Sequence, residues 1–375
     1  MTSPAFPRRD PVGAADGALS PGDLDILADV VAAGAEAADV DGVRRSTIDA
    51  LAAAGLLGAP LQPASPQREF AEVIAGCDAS TWFCWVQHQT PLRTLEAAVP
   101  SAQTPDVADL QAALIPGLRS GSLLAAVAFA HVRRPGPANP VAVRVDGGWR
   151  LDGTLDWVTS WDIADVVMVM AQGAGDDAGS LVCCYLPGGR SAETTPGLDV
   201  GPPLRLLAMS GTHTRPVTLT AVHVPTRLVG AVLDRDSWLA ADAIKTADAN
   251  PSAFGVTRGA IAELDALAEQ RGDPAVADLA AALISECRTV RALAYAAADD
   301  PSTPVTARLD LRARSLDLVS RATTAVVVAR AGAAMRLGQP AERRLREAMF
   351  LMVQAQTAAT RTASLDLLRA RSATG

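Results

Sequence analysis

The stretch GGWRLDGTLDWVTSWDIAD, Gly147 to Asp165, decides how the rest of the chain reads. Trp149 and Leu151 alternate with Arg150 and Asp152, the two-residue period of a half-buried strand. Asp152-Gly153 is a turn dipeptide and Leu155 to Ser160 resumes an extended pattern, so the segment predicts a hairpin. On its second strand the same period puts Trp157, Thr159 and Trp161 on one face: indole, hydroxyl, indole. In a lone hairpin such tryptophans are usually core packing. The same face is also suited to stack on a planar ring and offer it a hydrogen bond.

Outward from this segment the chain is helical, then extended, then helical. From Pro21 to Leu57 apolar residues recur at helical spacing (Leu24, Leu27, Val31; Ile48, Leu51, Leu56), with Ser20 and Ser46 as candidate N-caps. A second helical block is expected from about Gln67 to Ala98, and a third ends near Leu118. Between Ser122 and Val224 the runs are short and β-rich, among them Val141 to Val145, Val166 to Met170 and Val182 to Leu186. Beyond Ser237 the pattern is Ala-rich and helical, broken at Asn250-Pro251, Gly272 to Pro274, Asp300 to Pro304 and Gly338 to Pro340. An α+β protein in three parts follows: residues 1–119 helical, 120–230 a middle β domain, 231–375 a helical bundle.

A net charge of −8 and a pI near 5.1 argue against a nucleic-acid partner. No unbroken apolar run reaches membrane-spanning length and the N-terminus lacks the apolar core of a signal peptide, so a cytoplasmic protein is expected, without a membrane. Five cysteines without a CxxC pair and four scattered histidines give no metal-ligand spacing; the cysteines are expected to be reduced and buried. Of 33 basic residues, only Lys245 is not arginine.

Several segments resemble the acyl-CoA dehydrogenase family, in order along nearly the whole chain. STIDALAAAGLLGAP (Ser46 to Pro60) is similar to that family's early helix and turn. Trp157-Val158-Thr159-Ser160 resembles its flavin-facing strand, and GTHTRPVTLTAVHVPTRLVG (Gly211 to Gly230) the strand that leaves its middle domain. PAERRLREAMF (Pro340 to Phe350) resembles its Arg-Asp-Ala segment, with Arg346, Glu347 and Ala348 in register. GCDASTWFCWVQHQ (Gly76 to Gln89) is similar to a pattern in the flavin-dependent monooxygenases that share this fold. The resemblance implies a helical N-terminal domain, a β-barrel-like middle domain and a C-terminal four-helix bundle.

It also implies a cofactor, FAD, with FMN or a weakly held reduced flavin as alternatives, contacted by Trp157, Val158, Thr159, Ser160 and Phe129. Trp82, Trp85, His88, Arg133, Arg134 and Gln354 are candidates to line a substrate cavity, although Trp82, Trp85 and Gln89 at i, i+3 and i+7 also make an ordinary core stripe. A family dehydrogenase needs a base to take an α proton, with the flavin as oxidant. The glutamate that usually serves is replaced by Ala355. In a minority of members the glutamate stands on the first helix after the middle domain, and that place falls at about Lys245, flanked by Asp242 and Asp248. Lys245 is thus a candidate base, or a solvated surface lysine; His131 is a candidate acid or base, or a surface-loop histidine. The histidine expected of the monooxygenase branch is replaced by Met352, Val353 or Gln354, and Gln354 and Gln356 are hydrogen-bonding groups without basicity.

Two flavin anchors of the family are altered. Its Thr-Glu-Pro and Gly-Ser-Asp segment is AFAHVRRPGPANP here (Ala128 to Pro140), and its Arg-x-x-Phe-Gly is reduced to Arg271-Gly272-Asp273-Pro274. Arg133 and Arg134 are candidates to hold a phosphate or carboxylate instead. Three readings result: a flavoenzyme acting on an acyl thioester or related small molecule with a displaced base; a two-component monooxygenase fed by a flavin reductase; and a flavin-free relative acting as a partner subunit. Apolar helices such as Ala322 to Ala334 are expected to be buried between copies, in a homodimer or homotetramer.

Overall fold

A computed structural model describes residues 19–58, 64–137, 139–191 and 195–374. Its N-terminal layer holds α1 (Pro21–Ile26), a π turn (Leu27–Ala32), α2 (Ala33–Asp41), α3 (Arg45–Ala53), α4 (Ala64–Cys77), α5 (Ala79–Glu96) and α6 (Val107–Ser120). Ser20 caps α1 in a capping box with Asp23. Ser46 does not cap: α3 already begins at Arg45. The helical block expected from Gln67 to Ala98 is two helices. Asp78 breaks it, extended at φ −159° and ψ 114°, its carboxylate accepting from the amides of Ser80 and Thr81. Ala59 and Pro60 of the early motif lie outside the described residues.

Eight strands follow: β1 (Ala125–Ala128), β2 (Val141–Val145), β3 (Gly148–Val158), β4 (Val166–Gly173), β5 (Ser180–Pro187), β6 (Leu198–Val200), β7 (Arg215–Pro225) and β8 (Val229–Asp234). They form one sheet in the order β6-β7-β3-β2-β4-β5-β8, with β1 added parallel to β4. The sheet therefore runs past the boundary expected at residue 230. Strand alternation sorts its two faces. Val167, Val169, Val182, Cys184 and Leu186 join Trp149, Leu151, Leu155 and Val158 in one apolar core. Their neighbours Met168, Met170, Leu181, Cys183 and Tyr185 face the other way, against Leu95 of α5 and Leu110 of α6. All five cysteines are free and buried.

The expected hairpin turn at Asp152-Gly153 is absent. β3 is one continuous strand, and the tight turn lies earlier, at Asp146-Gly147, where β2 pairs back on β3 with Val145 opposite Gly148. At Asp152-Gly153 the β3–β7 register shifts instead. β7 carries the extra residue there, with Ala221 at φ 50° and its amide donating to Asp152. Gly153 is needed for close approach: a Cβ would lie 2.2 Å from Asn139 Oδ1 and 2.8 Å from Pro140 Cα.

The C-terminal part holds α7 (Arg235–Ala247), α8 (Pro251–Arg271), α9 (Pro274–Asp299), α10 (Val305–Arg330), α11 (Pro340–Val353) and α12 (Ala358–Thr374). α8 to α11 pack on one another, with Phe254, Ile261, Leu264, Leu283, Val290 and Leu318 in their core, and α12 lies on α10. α8 also packs closely on α4, where a Cβ on Gly255 would meet the Glu72 carbonyl at 2.1 Å. The stretch Val305–Met335 is long and apolar enough to cross a membrane by length and composition. The run is not unbroken, because Arg308, Arg312, Arg314 and Arg321 interrupt it. It packs as a bundle helix against α8, α9 and α11.

Candidate functional site

At the end of β3 a second register shift sets Asp156 and Trp157 opposite Pro216. Proline has no amide hydrogen for the ladder, so the strand bulges there. The bulge turns Trp157 outward, leaving 47% of it exposed, while Val158 returns to the core. Trp161 does not share the Trp157 face, as strand periodicity had it. The strand ends at Val158, Ser160 takes a left-handed φ of 66°, and Trp161 sits in a 3-10 turn, buried in the sheet core. The expected indole–hydroxyl–indole face is an indole and a hydroxyl.

That hydroxyl belongs to a chain. Thr159 Oγ1 lies 3.2 Å from Thr214 Oγ1, which lies 2.8 Å from Thr212 Oγ1, and Thr212 donates to the Met209 carbonyl at 2.7 Å. Left-handed residues flank it at Ser160, Met209 (φ 62°) and His213 (φ 50°), a concentration of strained backbone at one place. The Ser160 amide donates to Thr212 O and the Trp161 amide to His213 O, and His213 is tied to the Val43 carbonyl beyond α2.

On α5 the structure separates two faces. Trp82, Trp85 and His88 are buried in the core: Trp82 stacks near Phe83, Trp85 donates to Leu56 O at 3.1 Å, and Gln89 donates to Leu57 O. His88 Nε2 donates to Leu118 O and its Nδ1 accepts the Ala125 amide, both at 3.0 Å, and burial pushes its pKa down to about 4. These three residues hold α5 to its neighbours and do not form an accessible wall. The half-exposed strip of α5 is Phe83, Val86, Gln87 and Thr90, at i, i+3, i+4 and i+7, leading to exposed Arg93. The helical period that exposed the core stripe also gives this complementary stripe, but nothing in the sequence says which of the two faces the cleft. Phe83 meets Phe350 of α11 edge-on at 4.9 Å.

Lys245 is an exposed residue of α7, and its pKa is lowered, first by the surrounding protein and then by the Arg93 and Arg133 cations. Arg133 is engaged: it bonds Asp242 through two 2.7 Å contacts and lies over Phe129, whose ring meets Trp238 edge-on. Phe129 thereby packs, partly buried, with the helix-covered face of the sheet. Arg134 pairs with Asp156. His131 is part-buried in the 3-10 turn Ala130–Arg133, its Nε2 donating to Met170 O at 2.6 Å, and burial lowers its pKa, so it stays neutral. Asp248 pairs with Arg308.

After α11, Ala355 is left-handed at φ 50° and carries no ionisable group. Gln354 accepts from Asn250 Nδ2 at 3.1 Å through its side-chain oxygen, and its Nε2 makes no hydrogen bond among the described residues. Arg312 positions this loop, donating to the carbonyls of Thr246 and Gln354 at 2.9 and 2.8 Å. The Arg346-Glu347-Ala348 motif is a brace: Arg346 bonds Asp39 and Glu342, while Glu347 pairs with Arg343 and accepts the Ala79 amide at the start of α5. Two surface grooves, of about 430 and 670 Å³, lie between α9 and α10 and between α10 and α12, and neither includes Trp157, Thr159 or Lys245.

No protein-family model matches the chain, and no curated protein matches it. Solved structures do. Butyryl-CoA dehydrogenase from Megasphaera elsdenii is similar over 94% of this chain and 99% of its own, at a TM-score of 0.73 and 18% identity. A glutaryl-CoA dehydrogenase from Mycobacterium smegmatis, in complex with FADH2, is similar over 96% and 98%, at 0.73 and 15%. Dibenzothiophene monooxygenase from Paenibacillus sp. A11-2 is similar over 92% and 96%, at 0.70 and 18%. The fold of this chain is that of the acyl-CoA dehydrogenases, shared with that monooxygenase.

Proposed function

We propose that this protein is a flavin-dependent oxidoreductase acting on a small molecule. Trp157 carries the reading: an indole turned out of the sheet by a proline-induced bulge, two residues from a hydroxyl in a prearranged chain. A planar ring with polar edges fits these groups, Trp157 for stacking and Thr159 and the Gln354 amide for hydrogen bonds. Bound there, the flavin would supply the two-electron chemistry. The chain's own residues would bind and orient: Phe83, Val86 and Phe350 as apolar wall, and Arg93 with Lys245 as the cationic end for an anionic substrate group.

Two reaction types are carried by different observations. The absence of an ionisable group at Ala355 favours a monooxygenase receiving reduced flavin from a partner reductase, because that chemistry needs no carboxylate base there. Lys245 supports a dehydrogenase with a displaced base, since the surrounding protein and the Arg93 and Arg133 cations lower its pKa, and a larger share of the amine is then neutral and free to accept a proton. The visible spectrum of the purified protein, before and after adding FAD or FMN and desalting, separates them. A flavin band that survives desalting supports the dehydrogenase. A band seen only with free flavin supports the monooxygenase, and no binding in any state removes both.

A further inference from the structure

Two neighbouring cations stand without a counter-charge. Arg93 is in the last turn of α5 and Lys245 in the last turn of α7, close enough that the Arg93 charge lowers the Lys245 pKa. Both are exposed, and neither makes a hydrogen bond or ion pair among the described residues. This occurs in a chain with 41 acidic residues against 33 basic ones. The carboxylates that act on the pair are already engaged: Asp242 gives both oxygens to Arg133 at 2.7 Å, and Glu96 holds Arg119 at 2.7 Å. A helix dipole favours cations at its C-terminus and would hold their pKa up. Both are lowered instead, first by the surrounding protein, so the protein crowds two groups that water still reaches. The two helix ends are also fixed from behind. Pro91 O accepts from Tyr185 and Leu95 O from Gln111, each at 2.8 Å, while buried Arg312 donates to Thr246 O at 2.9 Å. Like charges held together on rigid backbone repel, and a bound anion relieves the repulsion.

We propose that Arg93 and Lys245 together bind a dianion, the phosphate-ester or dicarboxylate end of a small substrate. That the anion is the substrate's end rests on the oxidoreductase reading above; the anion site itself does not. Two free positive charges match two negative ones, whereas a monocarboxylate leaves one cation unanswered. Arg133 is a third cation here, but Asp242 cancels its charge, so the count stays at two. The guanidinium offers a planar fork of N–H donors to two oxygens, and the ammonium offers three donors on a flexible stem. A bound dianion also keeps the Lys245 amine protonated, which makes it a binding group and not a base while the substrate is in place.

Lys245 is the only lysine in the chain, so its acetylation by an N-hydroxysuccinimide ester, followed by mass spectrometry of the peptide that carries it, reports on this one side chain. Inorganic phosphate and malonate should slow the labelling several-fold, and acetate or chloride at the same ionic strength should not. Protection by phosphate alone identifies a phosphate ester, and protection by malonate alone a dicarboxylate. Arg93→Gln changes an exposed side chain, leaves the fold intact, and should weaken the protecting anion's affinity about ten- to a hundredfold, the loss of one charge-assisted contact. No protection, protection by chloride equal to that by phosphate, or protection undiminished in Arg93→Gln overturns the inference. Flavin binding is decided separately by the visible spectrum. A protein that binds flavin with Lys245 unprotected loses this site alone, and protection without flavin binding keeps the dianion site while removing the oxidoreductase.

Discussion

His88 shows how one buried side chain acts on stability through pH. Its folded pKa of about 4 lies below the ordinary 6.5 because α5 keeps the ring dry while it bridges Leu118 and Ala125. Below pH 6.5 the unfolded chain binds a proton that the folded ring resists, so the stability His88 contributes is present above 6.5 and is lost as pH falls through about 4. The gap amounts to about 3 kcal/mol. Denaturant midpoints at pH 7 and pH 4.5 should therefore fall less in His88→Gln than in the wild type; equal falls would mean that His88 is not neutral and buried. At this scale the sequence was legible where chemistry is local: Trp157 beside Thr159, the capping Ser20, the missing base at Ala355. It was not legible where a distant residue decides, as when Pro216 turns Trp157 outward, Asp242 engages Arg133, or the carbonyls of Leu118 and Met170 take the protons of His88 and His131.

Among the elements, α4 is held to α8 and α9 by a buried charge. Glu72, fully buried, receives Arg258, Tyr295 and, at 2.6 Å, Arg291. The small face of α8 at Gly255 brings its backbone against the Glu72 carbonyl, which puts these groups within reach. Removing one member of such a cluster costs about 3–5 kcal/mol, mostly for charge left buried. Glu72→Gln should lower the unfolding free energy by that order, and a loss below 1 kcal/mol would show that the cluster is solvated. Periodicity showed most of these helices because apolar spacing is a local property. It merged α4 with α5 because Asp78 interrupts the pattern for a single residue, and it broke β3 into a hairpin because Asp152-Gly153 satisfies a bulge as readily as a turn.

For the molecule as a whole, Val328, Met335 and Leu337 stand 73%, 68% and 84% exposed along α10 and the turn after it. Apolar residues this exposed on a bundle point to a second copy, and we expect a homodimer or homotetramer. Light scattering should give a multiple of 38.6 kDa at micromolar concentration, and Val328→Asp should weaken the assembly at least tenfold; a wild-type monomer contradicts this. The order helical, extended, helical was readable because composition changes at each boundary; the outward turn of Trp157 was not, since it depends on the register of β3 against β7 at Pro216. The measurement that tests the account most directly is flavin binding by Trp157→Ala beside the wild type, with circular dichroism as the control for folding. Trp157 is half exposed, so its loss should leave the fold intact while weakening flavin binding about tenfold, the worth of one aromatic contact. Unchanged flavin affinity in a folded Trp157→Ala variant would contradict it.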